Sequence, residues 1–165
     1  MTTKTLASME KRLQALEDRE AIRELLSSFC RAVDGKDRSL FVSLWETDAR
    51  WEVGPPAGFA EGHDALLANV ERVWTVLPDS YHMLGNFLIE VDGDRARLTC
   101  DVNVRGTDVG DRAILAGGTY SDDLHRGQDG RWRIVEHVAN VHYWAPVNDP
   151  WSLDPASRMK LPITS

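Results

Sequence analysis

Two residues of this chain have the types that proton-transfer chemistry needs. Asp34 stands in the run Cys30-Arg31-Ala32-Val33-Asp34-Gly35-Lys36, at the close of a long amphipathic stretch. His82 stands in Tyr81-His82-Met83-Leu84-Gly85-Asn86, near the start of a strand-like run. A carboxylate that orients an imidazole and stabilises its cation makes a general base. Brought together in an apolar pocket, the two would take protons from small hydrophobic molecules. Asp-Gly is also good turn chemistry, and a lone strand histidine is commonly structural. Whether the two residues meet is therefore a question for the fold.

Further candidates lie downstream. His137 shares strand parity with Val135, Ala139, Val141 and Tyr143, and could enter the same cavity as an electrophile or anion stabiliser. His142 shares parity with Asn140 and Trp144. Asp101 and Arg105 share a parity and could pair across a sheet; Asp101 is also a weak candidate for a water-activating carboxylate on the pocket wall. Phe29, Trp51, Trp74, Leu84 and Tyr143 are expected as apolar walls that keep water from the base. His63 and His125 sit near turns and read as solvated.

The elements that must position these residues follow from periodicity. Leu6, Met9, Leu13 and Leu16, then Ile22, Leu25, Leu26, Phe29 and Val33, recur every three or four residues, which predicts helix over 6–34. The cluster Glu17-Asp18-Arg19-Glu20 suggests a bend or a fresh start, and Gly35 a stop. Shorter helices are predicted at 38–45 and 63–76, with a strand at 49–53 and a loop at 54–58 between them. The remainder reads as strands at 80–91, 96–105, 113–124 and 132–144. Asp92-Gly93-Asp94 and Gly127-Gln128-Asp129-Gly130 supply turns. His82, Leu84, Asn86 and Leu88 would share one face of the first of these strands, and Tyr81, Met83, Phe87, Ile89 and Val91 the other. The order predicts an α+β fold: a curved, mainly antiparallel sheet with three helices from the N-terminal half on its concave face. Such a cone is a natural small-molecule pocket. One domain is expected over 1–146, followed by an irregular tail over 147–165.

Composition narrows the function classes. The 165 residues are 42% apolar and 27% charged, with six Trp and a formal charge of −7. An acidic chain lacks the basic footprint that nucleic acid or an anionic membrane needs. Cys30 and Cys100 read as buried reduced thiols. No CxxC or HExxH spacing occurs, so no dedicated metal site is expected. The run Met1-Thr2-Thr3-Lys4-Thr5-Leu6 is not a signal-peptide pattern, and a cytoplasmic location is expected.

With these elements in place, the chain resembles the SnoaL-like branch of the nuclear transport factor 2-like (NTF2-like) superfamily, which has a cystatin-like α+β cone. The nearest groups are hexachlorocyclohexane dehydrochlorinase, bile acid 7α-dehydratase and scytalone dehydratase. The matching stretches are Glu20-Ala21-Ile22-Arg23-Glu24-Leu25, Val33-Asp34-Gly35-Lys36, Tyr81-His82-Met83 with Asn86, and Gly130-Arg131-Trp132 with Tyr143-Trp144. The resemblance implies that His82 is the base and Asp34 the residue that orients it. It also marks departures: Phe29 stands where those groups have tyrosine or lysine, and His137 where the dehydrochlorinase has arginine.

The resulting expectation is a cofactor-independent lyase or isomerase acting on a small hydrophobic cyclic substrate, with Asp34, His82 and His137 as its catalytic residues. Three alternatives stay open: a β subunit of a ring-hydroxylating dioxygenase, a ligand carrier without catalysis, and an epoxide hydrolase. The resemblance further implies a homo-oligomer, a trimer ahead of a dimer.

Overall fold

The computed structural model describes residues 3–53 and 58–147. The expected tail over 147–165 therefore lies outside the described residues except for Val147, as does most of the expected loop at 54–58. The elements run α1 (Thr3–Asp34), α2 (Arg38–Ser43), β1 (Trp45–Val53), β2 (Gly58–Glu61), α3 (His63–Val76), β3 (Asp79–Asp92), β4 (Arg95–Thr107), β5 (Ala113–Arg126) and β6 (Trp132–Pro146). The six strands form one sheet in the order β2-β1-β6-β5-β4-β3. Only the β1–β6 pair is parallel. The sheet is curved, and α1 lies across β3 and β6 on its inner side. The short strand β2 is an addition to the predicted elements. It pairs with β1 through four residues and leads straight into α3.

The buried stripe of α1 is Ile22, Leu25, Leu26, Phe29, Cys30 and Val33. It packs onto Leu98, Cys100, Ile114 and Ile134 from the sheet, a continuous apolar core. The first half of α1 behaves differently. Leu6, Met9, Leu13 and Leu16 keep the helical spacing but are 46–64% exposed. The acidic cluster at 17–20 does not break the helix. Asp18 is instead buried as a tie between layers, accepting from Arg126 Nη1 at 2.5 Å and Trp132 Nε1 at 3.3 Å.

Bulges set which residues face inward. In β3 the pairing with β4 slips between Gly85 and Leu88, and Asn86 adopts a left-handed φ of 52°. One inserted residue exchanges the two faces of a strand. His82 and Leu84 thus share the inner face with Phe87, Ile89 and Val91, while Tyr81, Met83 and Leu88 are exposed. In β6 the pairing with β5 slips twice, leaving Val135 and His142 as the extra residues. No helix among the described residues is long and apolar enough to cross a membrane.

Candidate active site

The C-terminal end of α1 builds the first half of the site. Gly35 N–H donates to Arg31 O, and Asp37 N–H to Ala32 O, both at 2.9 Å; the chain turns through Lys36 at φ 54°. Asp34 is left at the negative end of the helix dipole, where a carboxylate is disfavoured by about 0.3–1 kcal/mol. Strand β3 supplies the compensating donors from alternate residues. Ser80 Oγ donates to Asp34 Oδ1 at 2.8 Å, and His82 N–H to Oδ2 at 2.9 Å. His82 Nδ1 lies 2.6 Å from Oδ1. Burial opposes ionisation of Asp34, but the ring and backbone hydrogen bonds from His82, its charge and the Ser80 hydroxyl outweigh it. The carboxyl is held below the usual aspartate range. Ring and carboxylate are mostly covered, with side chains 9% and 18% exposed.

With Nδ1–H committed to the carboxylate, Nε2 is the nitrogen that can meet a substrate. His82 lines a cavity of about 120 Å³ whose walls are chiefly apolar. Phe29, Val33, Trp51, Val102, Val104 and Tyr120 are among its lining residues. In such surroundings neutral Nε2 can take a proton, and the imidazolium that results sits against a carboxylate. A larger hollow of about 790 Å³, walled by Glu46, Asp48, Glu90, Arg95, Arg97 and Asp123 among others, contains neither His82 nor Asp34. Its mixed charges describe a wet groove rather than a dry reaction site.

His137 lines the same cavity and is fully buried. Its Nδ1 lies 2.6 Å from Asp122 Oδ1, and Asp122 is equally buried. The cavity therefore has a second histidine–aspartate pair. Asp122 was not anticipated, although a period-two reading puts Tyr120, Asp122 and Leu124 on one face of β5, and the register sets Asp122 directly against His137. Tyr120 packs edge-on to His137 with ring centres 4.5 Å apart, and burial pushes its phenol well above the ordinary tyrosine value. Tyr120 accordingly stays protonated.

Several expected wall residues lie elsewhere. Asp101 points to the opposite face of β4 from Cys100 and Val102, where Asn86 Nδ2 donates to it at 2.5 Å. It cannot activate water in the cone. Tyr143 donates through its hydroxyl to Asn103 at 2.8 Å outside the cavity; the bulge at His142 brings Trp144 to the lining instead. Trp74 is buried as a strut, its Nε1–H donating to Val33 O at 2.7 Å. Leu84 faces inward but packs against the core and not the cavity. His63 and His125 are half-buried, with ring nitrogens 3.3 Å from Trp45 O and 3.1 Å from Glu46 Oε1. Phe29 and Trp51 do line the cavity.

Residues 14–138, which hold both histidine–aspartate pairs, match the SnoaL-like domain family. The chain belongs to that family. This SnoaL-like protein is 30% identical over 138 residues to gamma-hexachlorocyclohexane dehydrochlorinase of Sphingobium indicum, spanning 82% of this chain and 87% of the relative. The crystal structure of the type-3 hexachlorocyclohexane dehydrochlorinase from Novosphingobium barchaimii superposes with a TM-score of 0.77 at 28% identity, covering 87% of this chain and 99% of that one. A protein of cystatin-like fold from Nostoc punctiforme, 18% identical, covers 75% of this chain and 90% of its own with a TM-score of 0.67. The SnoaL-like chain thus has the expected cystatin-like cone, and its relatives include lyases.

Proposed function

We propose that this SnoaL-like protein is a lyase or isomerase that needs no cofactor and removes a carbon-bound proton from a small hydrophobic cyclic substrate. The observation that carries the reading is the 2.6 Å contact between His82 Nδ1 and Asp34 Oδ1 beside an apolar cavity that His82 lines. Nε2 is the base. Asp34 fixes the ring tautomer and stabilises the imidazolium. Electrons from the broken C–H bond expel a leaving group from the neighbouring carbon, or the proton returns at another carbon. The apolar lining suits a hydrophobic ring, and the cavity of about 120 Å³, below the ~150 Å³ that accommodates benzene, admits a substituted ring only as its lining side chains shift. The homo-oligomer, a trimer ahead of a dimer, belongs to the same proposal.

The test uses two probes with the purified protein in buffered D₂O. Chloride release is followed from γ-hexachlorocyclohexane, and deuterium incorporation at carbon from 2-cyclohexenone. The expected result is turnover or exchange of at least one probe, reduced by about 10²–10⁴-fold in His82→Ala. Activity that His82→Ala leaves unchanged, or none with either probe, counts against the proposal.

A further inference from the structure

The second pair carries more than packing. His137 and Asp122 are both fully buried, and His137 Nδ1–H is spent on Asp122 Oδ1. The one remaining polar edge of His137 is Nε2, which has no hydrogen-bond partner among the described residues. Trp51 lies directly across the parallel β1–β6 pairing from His137, with ring centres 6.2 Å apart. Trp51 is buried as well, and its Nε1–H also lacks a partner among the described residues. Both residues line the cavity that holds His82. Trp45 Nε1, Asn69 Nδ2 and Asp122 Oδ2 also lack partners among the described residues, but only His137 and Trp51 line the cavity, and since buried polar atoms are nearly always satisfied these two point to a third party there.

The chemistry of that party follows from what the two atoms need. In the tautomer that gives Nδ1–H to Asp122, His137 offers a lone pair at Nε2, and Trp51 offers only a donor. An anion would satisfy Trp51 but would face the His137 lone pair and the Asp122 carboxylate behind it. A carbonyl would leave Nε2 unmet. A hydroxyl can donate to one nitrogen and accept from the other. We infer that His137, backed by Asp122, and Trp51 form a seat for the hydroxyl group of an uncharged single-ring alcohol or phenol, which anchors the ring within the cavity. This rests on the reading of that cavity as a substrate site and names the substrate's class.

Equilibrium binding tests the seat without requiring turnover. The probes are phenol and toluene, which match in shape and differ by hydroxyl against methyl. Calorimetry or ligand-observed NMR on the full chain is expected to give phenol about tenfold tighter binding than toluene. Trp51→Phe and His137→Phe should each shrink that preference by several-fold. In the unsubstituted protein, phenol should shift the ¹⁵N resonance of His137 Nε2 and toluene should not, a readout that survives a variant failing to fold. Equal affinities, binding of neither probe, or a preference that both folded variants retain would overturn the seat; a permanent bound water would produce the first result. A phenol preference in a protein inactive toward every probe supports the seat and counts against proton abstraction by His82. Turnover lost in His82→Ala together with equal affinities does the reverse.

Discussion

His82 holds Asp34 at two points. Its ring Nδ1 meets one carboxylate oxygen at 2.6 Å and its backbone N–H meets the other at 2.9 Å. The two contacts hold both carboxylate oxygens, and Ser80 Oγ adds a third from the same strand face. The end of α1 and the start of β3 are thereby fixed against each other by the same groups proposed to do the chemistry.

Replacing the orienting acid should separate geometry from charge. Asp34→Asn keeps the shape, but its amide can donate to Nδ1 and so leave the proton on Nε2, the wrong tautomer for a base. Deuterium exchange by Asp34→Asn is expected to fall by roughly 10²-fold or more. Nuclear magnetic resonance of the probe in D₂O measures this, with circular dichroism as a check on the fold. Exchange within twofold of the unsubstituted protein would contradict the role.

The same carboxylate should leave a mark on stability against pH. Its folded-state value is depressed, so its contribution is complete above the ordinary aspartate value of about 3.9 and is lost as the pH falls through the lower folded-state value. Urea unfolding of the unsubstituted protein and Asp34→Asn from about pH 5 to about pH 3, below the ordinary histidine range, is expected to show a stability gap that narrows below about pH 4. A gap that widens over that acidic range would have the wrong sign.

Gly118 sits at a slip in the β5–β6 pairing, where a Cβ would collide with the backbone carbonyl of Asn140. Backbone cannot yield as a flexible side chain can. Gly118→Ala is expected to cost about 1–3 kcal/mol in denaturant unfolding, the range for overpacking. Gly130→Ala, at a turn with open space but a φ of 77°, tests conformational strain without collision.

Both thiols should be silent in the folded protein. Burial, then the charge of Asp122 and Asp101, pushes Cys100 up to about 12, and burial raises Cys30 further. Thiolate is the reactive form. Iodoacetamide at pH 8 is expected to leave the native protein unmodified by mass spectrometry and to add two groups in urea. Rapid modification of the native protein at either position would show that the inner face opens.

Much of the fold was legible because its signals are local. Ile22 through Val33 on one helical stripe, the clean alternation from Ala96 to Val104, and the glycine turns at Gly93 and Gly130 need no knowledge of distant contacts. Asp34 and His82 were legible as types in suggestive places. Tyr143 and Asp101 were not, and for different reasons. Tyr143 follows an extra residue at His142 that shifts the parity and gives its expected place to Trp144. Asp101 follows the regular alternation faithfully, and the outward face it occupies was simply not the one expected. Asp18 read as a helix boundary because acidic clusters often mark one; only its contacts with Arg126 and Trp132 reveal a buried tie.

Side-chain period and turn chemistry, carried by each short stretch, determined which segments would be helix and strand, that an acid would close the first helix and that a later strand would bear a histidine. Strand register decided the rest. The slips at Asn86, Val135 and His142 choose which residues enter the cone, and cross-strand pairing sets Trp51, His137 and Asp122 side by side from three separate strands. Register is an energy shared between strands, settled when the sheet closes over its core, so no single segment encodes it.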